Sequence, residues 1–248
     1  MQEILKNNST ILNNRPIILF DIDWTLVNGI NYTHSDSFKY IFDRVFGLKN
    51  INVYDIRPHG MTDLQIISEI LKINNLSSEF TKSNSDLAIS LMGEYYIKNS
   101  EKEFVTLMPG VINLLDTLKK YGYLMGILSG NIEKVGKQKV AAANISHYFC
   151  FGAFGDMSVS RADLVDFAEK DMQKNGFNAT KKQFIIIGDS VRDIECAKKS
   201  KLSSIGVATG STSLENLKIA GADLVVSSLE DIDVIMELIT SLDPQFTH

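Results

Sequence analysis

A chain of 248 residues with 44% hydrophobic and 22% charged content can bury a sizeable core and has the composition of a globular protein. The length allows one large domain or a domain with an insert. Its 25 basic and 30 acidic residues give a formal charge of −5, which argues against nucleic acid or an anionic membrane as partner but leaves room for a small anionic substrate held by local positive charge.

The two cysteines, Cys150 and Cys196, sit in apolar or helical contexts and are expected to be reduced thiols. The stretch from Met1 to Arg15 is polar and Asn-rich, with no apolar core for a signal peptide, and no later segment reads as a membrane span. The expected location is the cytoplasm.

In chain order, the first strong signal is the apolar run from Pro16 to Phe20, which reads as a strand buried on both faces. It ends in Asp21 and Asp23, then Thr25. Helical spacing follows, with Phe38, Ile41, Phe42, Val45 and Phe46 on one face, and Arg57-Pro58-His59-Gly60 breaks it. Thr62 and Asp63 are placed to cap a second helix carrying Leu64, Ile67, Ile70 and Leu71, and a third helix is expected over Asp86 to Lys98. With no strand signal between Asn31 and Phe104, this stretch reads as an all-helical insert.

After Met108-Pro109-Gly110, strands and helices alternate. Helix Val111 to Leu118 precedes strand Tyr123 to Leu128, which ends at Ser129-Gly130-Asn131, and helix Ile132 to Ala143 follows. A short strand is expected over Tyr148 to Phe151, a loop over Gly152 to Ser160 and a helix over Arg161 to Lys174. Strand Phe184 to Ile187 ends at Gly188-Asp189-Ser190. Helix Val191 to Ser200, strand Ser203 to Val207, loop Ala208 to Ser213, helix Leu214 to Ala220, strand Leu224 to Val226 and helix Leu229 to Ile239 complete the chain. This alternation predicts an α/β fold with a doubly wound parallel sheet and right-handed crossovers. The expected division is a core of residues 1–29 and 106–248 and a helical cap of residues 30–105.

In such a sheet the carboxyl ends of the strands share one edge, where ligands bind. Asp21, Asp23 and Thr25, Ser129 and Asn131, the region leading to Arg161, and Asp189 with Asp193 all fall there. Each group alone has an ordinary structural use. Ser129 and Asn131 could cap a helix, Ser190 with Asp193 makes a capping box, and an arginine is most often solvated. Clustered carboxylates repel and are costly to desolvate, and a bound cation relieves both.

The segments Asp21-Ile22-Asp23-Trp24-Thr25-Leu26, Leu128-Ser129-Gly130-Asn131, Arg161 and Gly188-Asp189-Ser190-Val191-Arg192-Asp193 together resemble the motifs of the haloacid dehalogenase superfamily of aspartate-nucleophile hydrolases. The resemblance runs from Pro16 to Ile239 and implies the branch with a small helical cap that contains phosphoglycolate phosphatase and β-phosphoglucomutase. Gly60-Met61-Thr62-Asp63 is similar to that branch's Gly-x-Thr-Asp cap segment. Two positions depart from the family pattern: Arg161 stands where lysine is usual, and Trp24 stands where small residues, commonly glycine, are usual.

The resemblance implies a phosphatase acting on a small phosphorylated metabolite through an aspartyl phosphate, with Mg²⁺ as cofactor. Asp21 would be the nucleophile, Asp23 the acid–base group, and Arg161 the charge that neutralises the phosphoryl group. The metal would be held by Asp21, the backbone carbonyl of Asp23, and Asp189. Asp193 would bond Arg161 or reach the metal through water. Substrate contacts are expected from Thr25, Ser129, Gly130 and Asn131 on the core and from Thr62 and Asp63 on the cap, with His59 and Thr209 as further candidates. Hinges are expected at Asn28 to Asn31 and at Phe104 to Pro109. A phosphosugar mutase shares the core residues and is the alternative; a non-catalytic binding protein on the same fold is a weaker one. Monomer and homodimer both remain open.

Overall fold

Ile17–Phe20 (β1) are fully buried on both faces and form the centre of the sheet in the computed structural model, which describes residues 14–28, 32–100 and 105–246. Helices α1 (Tyr32–Phe46), α2 (Asp63–Ile73) and α3 (Ser78–Asn99) follow. The chain then alternates through α4 (Val111–Lys120), β2 (Leu124–Leu128), α5 (Glu133–Ala142), β3 (Phe151–Ala153), α6 (Leu164–Lys174) and β4 (Phe184–Gly188). It closes with α7 (Val191–Ser200), β5 (Ser203–Val207), α8 (Leu214–Ala220), β6 (Leu224–Val226) and α9 (Ile232–Ser241).

The six strands are all parallel in the order β3-β2-β1-β4-β5-β6. Ile17 is in register with Leu124 on one side and Phe184 on the other, so three strands end level around β1. The period-2 pleat sorts side chains between two cores. Ile18, Phe20, Met125, Ile127, Ile185 and Ile187 face one side, with α4 and α9 over them. Ile17, Leu19, Leu124, Leu128, Phe184 and Ile186 face the other, under α6 and α7. Burial of each such side chain is worth about 2 kcal/mol, which is why continuous apolar runs are needed here.

The helical insert has its own apolar centre. Phe38, Ile41, Phe42 and Phe46 of α1 pack on Ile66, Ile67, Ile70 and Leu71 of α2 and on Ala88, Met92 and Tyr96 of α3. Ile132 and Val135, at the start of α5, join this cluster, so the cap is seated on the core. Backbone bonds join the two as well: Asp63 N–H donates to the Gly130 carbonyl at 2.7 Å and Leu64 N–H to the Gly155 carbonyl at 3.3 Å.

Three element expectations need correction. The third cap helix starts at Ser78 rather than Asp86, because the Ser77 side chain accepts from Phe80 N–H and caps two opening turns whose single apolar residue, Phe80, gives no periodicity to read. The strand expected over Tyr148 to Phe151 lies at Phe151–Ala153, and Ser146–Tyr148 is a 3-10 turn; small Gly152 and Ala153 concealed the strand. The last helix begins at Ile232, not Leu229. Residues 29–31 and 101–104, which include most of the first expected hinge, the start of the second and the expected cap boundary at 29/30, lie outside the described residues, as do residues 1–13 of the N-terminal stretch. Cys150 and Cys196 are free thiols. No described helix is long and apolar enough to cross a membrane.

Candidate active site

Because β1, β2 and β4 end together, Asp21, Ser129 and Asp189 arrive at one edge of the sheet. They line a cavity of about 150 Å³ between core and cap. Asp21 is fixed at the backbone, where its N–H donates to the Ile187 carbonyl at 3.0 Å. Immediately after it the chain reverses in a tight turn, with Leu26 and Val27 N–H both donating to the Ile22 carbonyl. Trp24 sits in this turn at φ +60°, the left-handed region that favours glycine. Thr209 Oγ1 donates to the Trp24 carbonyl, and Trp24 is among the residues lining the cavity.

Arg161 enters the floor from the turn before α6. One Nη donates to Asp21 Oδ1 at 2.9 Å, to Asp193 Oδ1 at 2.5 Å and to the Leu128 carbonyl at 3.2 Å; the other reaches the Gly60 carbonyl of the cap at 3.1 Å. Its Nε is buried with no partner. Burial disfavours this charge, but Asp193 and Asp21 outweigh it, and the guanidinium is held firmly protonated. Asp193 is fixed from behind: Ser190 N–H and Oγ–H donate to its Oδ2 at 3.0 and 2.7 Å, the expected capping box of α7.

Carboxyl oxygens of Asp21, Asp189 and Asp193 lie within 4.8 Å of one another, a grouping able to hold a metal ion. Burial, opposed by Arg161 and reinforced by Asp193 and Asp23, raises the Asp21 carboxyl to about 7. Burial together with the charges of Asp21 and Asp193 raises Asp189 to about 9. Arg161 is already shared between Asp21 and Asp193, so ionising Asp189 as well would leave more negative charge than the described cations offset. A hard divalent cation with oxygen ligands fits that donor set.

Asp23 points the other way. Lys139 Nζ donates to both of its oxygens, at 2.8 Å each, and Asn131 Nδ2 donates to Oδ2 at 2.7 Å. Burial would raise this carboxyl, but Lys139 and the hydrogen bonds from Lys139 and Asn131 hold it below its ordinary value, so it stands as a carboxylate at neutral pH. Its side-chain oxygens are thus engaged away from the acidic cluster, which leaves the backbone carbonyl as the group the resemblance assigns to a metal. Asn131 Nδ2 also reaches Ser129 Oγ at 2.7 Å, and its Oδ1 accepts from Lys139 at 2.8 Å.

Asp21, Asp23, Ser129, Gly130, Asn131 and Asp189, which follow strand ends, line one cavity with Arg161 and the cap residue Asp63. Two expected substrate contacts do not. Thr25 is fully buried with Oγ1 unpartnered, and Thr62 caps α2, accepting from Gln65 N–H and donating to the Val159 carbonyl at 3.1 Å. Both sit outside the cavity lining, as does the further candidate Thr209. His59 is exposed at the rim, where its carbonyl accepts from Arg192.

Lys139 and His34 escaped the sequence reading. The inward face of α5 carries Val135, Gly136, Lys139 and Val140, all buried. A lysine at an apolar position of that stripe was the available signal. His34 showed none, since it depends on how the cap sits.

The chain matches the model of the haloacid dehalogenase-like hydrolases over residues 18–207. It is 25% identical over 228 residues to a protein named pyrophosphatase PpaX of Listeria monocytogenes serotype 4b, covering 88% of this chain and 95% of that one. It is 21% identical over 218 residues to a phosphoglycolate phosphatase of Vibrio parahaemolyticus, covering 87% and 93%. The crystal structure of a predicted phosphatase from Clostridium acetobutylicum shares the fold at a TM-score of 0.65 with 24% identity, covering 90% and 99%. With the catalytic-edge carboxylates, the bridging arginine and the seated cap in place, the match over most of its length shows that this chain belongs to the haloacid dehalogenase-like hydrolase family.

Proposed function

We propose that this protein is a Mg²⁺-dependent phosphatase that hydrolyses a small phosphomonoester through an aspartyl phosphate on Asp21. The observation that carries the reading is the placement of two carboxylates on one cavity floor with opposite surroundings: Asp21 beside Arg161 and the acidic cluster, Asp23 gripped by Lys139. Lys139 and Asn131 hold the Asp23 carboxylate apart from the group around Asp21, a separation that suits divided nucleophile and acid–base roles. The names of the relatives above are consistent with phosphate chemistry.

Asp21, Asp189 and the Asp23 carbonyl would hold the cation, which would screen the phosphoryl charge from the attacking carboxylate. Arg161 neutralises the same group from the floor, and Ser129 with the amides after β2 orients its oxygens. Asp21 attacks phosphorus and the P–O bond to the leaving oxygen breaks. The proton brought in on the phosphoester monoanion passes through Asp23 to that leaving oxygen. Water then attacks the aspartyl phosphate; Asp23 takes its proton and delivers it to the departing phosphate as Asp21 is regenerated. The balance is ester monoanion plus water to alcohol plus dihydrogen phosphate.

The cap side of the cavity presents Phe38, Val53, Pro58 and Ile66, which suits a small leaving group with apolar surface. The test is a screen of small phosphate esters with and without Mg²⁺. Metal-dependent release of phosphate that Asp21→Asn abolishes is expected; turnover retained by Asp21→Asn would reject the nucleophile.

A further inference from the structure

Lys139 is only 1% exposed, yet its ammonium is turned to the active cavity rather than to solvent. Its donors are spent on Asp23 at 2.8 Å to each oxygen, on Asn131 Oδ1 at 2.8 Å and on His34 Nδ1 at 3.5 Å. With Nδ1 accepting, the His34 ring donates through Nε2–H to Asp63 Oδ2 at 3.1 Å. That same oxygen accepts Ile132 N–H, at the start of the helix that carries Lys139, at 2.7 Å. The line therefore runs from the core helix α5 to α1 of the cap, across to the first residue of α2, and back to α5.

A buried ammonium–carboxylate pair is weak evidence for stability, because desolvation offsets the attraction. What singles this one out is its carboxylate, which is 27% exposed and faces the substrate cavity. We propose that Lys139 is the positioning residue that holds Asp23 in line for proton transfer, and that His34 makes this hold depend on the cap being seated. Lifting α1 and α2 off the core would take away the His34 acceptor and the Asp63–Ile132 bond together, leaving the ammonium tethered on the core side only. The acid–base group would be set only when the cap has closed over substrate. This rests on the phosphatase reading and adds two residues to it.

The test uses the full-length enzyme with Mg²⁺ and two esters: 4-nitrophenyl phosphate, whose leaving group departs as a stable anion, and a simple alkyl phosphate, whose leaving oxygen must be protonated. In kcat/KM, Lys139→Met is expected to lose about a hundredfold on the alkyl ester and no more than about threefold on the aryl ester, the size of a general-acid contribution. Joined to Asp23→Asn, it should lose nothing beyond Asp23→Asn alone, since it acts through that residue. His34→Ala, which keeps the buried ion pair, should show the same split at about tenfold on the alkyl ester, and it carries the test if Lys139→Met does not fold. Equal losses on both esters, or a double variant worse than Asp23→Asn alone, would overturn the role of Lys139. An unsplit or unchanged His34→Ala would overturn the link to the cap. A wild-type enzyme that cleaves neither ester overturns the phosphatase reading, and this inference with it.

Discussion

Arg161 divides one guanidinium between Asp21 and Asp193, at 2.9 and 2.5 Å, while its other terminal nitrogen holds the Gly60 carbonyl of the cap. Nucleophile, supporting carboxylate and cap segment thus share a single buried cation. Removing it strands two buried carboxylates, so Arg161→Ala is expected to lose about 3–5 kcal/mol of stability along with turnover. Arg161→Lys keeps the charge but not the fork, and should fold with activity reduced. Arg192 is the comparison: its guanidinium donates to the His59 and Arg57 carbonyls and holds no carboxylate among the described residues, so Arg192→Ala should shift stability by less than about 0.5 kcal/mol. Thermal unfolding and phosphate release on the three variants check this; similar losses at 161 and 192 would mean that Arg161 is not the central charge.

The acidic cluster sets a pH dependence for the metal-free protein. Asp21 and Asp189 have folded values raised to about 7 and about 9, above the ordinary carboxylate value of 3.8. A raised value means that the folded state binds the proton more tightly than the unfolded chain. Their stabilising effect is complete below the ordinary value and is lost as pH rises through about 7 and then about 9. With a chelator present, the unfolding temperature should fall across that window. Mg²⁺ should restore more at pH 8 than at pH 6, because protons compete with it for the same oxygens. A Mg²⁺ effect that is absent, or larger at the acid end, would remove these carboxylates as its ligands.

The core sheet was legible because its signal is local. Ile17–Phe20 and Phe184–Gly188 are unbroken apolar runs, and each ends in the aspartate that marks the site edge. β3 was misplaced because Gly152 and Ala153 carry little apolar signal; its position is set by pairing with β2. In the site, Asp21, Asp189, Ser129 and Arg161 were readable from their places relative to strand ends. Thr62 and Thr25 were not, since side-chain direction decides their use: one caps a helix and the other faces inward. Lys139 and His34 meet only because the cap docks on α5, a contact between residues 105 positions apart that leaves no trace in local pattern.

Trp24 holds a left-handed backbone beside the nucleophile, at φ +60°. A Cβ in that region costs about 1–2 kcal/mol, which glycine avoids. Trp24 lines the cavity, so its indole is expected to recover some of this by contact there. Trp24→Gly is therefore expected to change stability little, whereas Trp24→Ala, which keeps the strain and loses the ring, should be less stable than Trp24→Gly by about 1 kcal/mol. Both should raise KM more than they lower kcat if the indole contacts substrate. Denaturant midpoints in the order alanine above glycine would contradict the strain argument.

At Gly130 the cap lies close against the core. A Cβ there would stand 2.1 Å from the Met61 carbonyl oxygen and 3.0 Å from its carbon, both backbone atoms with no rotamer to yield. The neighbouring Gly130 carbonyl takes the Asp63 N–H at 2.7 Å, so displacing Met61 also loosens the bond that seats α2. Gly130→Ala should fold, because the sheet below is untouched, but its cap should ride off the site. Displacements of about 1 Å can cost a hundredfold in rate, so a loss of more than about tenfold in turnover is expected. Amide exchange at Asp63 and Leu64 should quicken while that of β1 and β4 stays protected. Gly47→Ala is the control: it has φ +68° and open space around it, so it should lose about 1 kcal/mol of stability and no activity. If Gly130→Ala kept full turnover and wild-type exchange at Asp63, the seated cap would have no part in assembling the site.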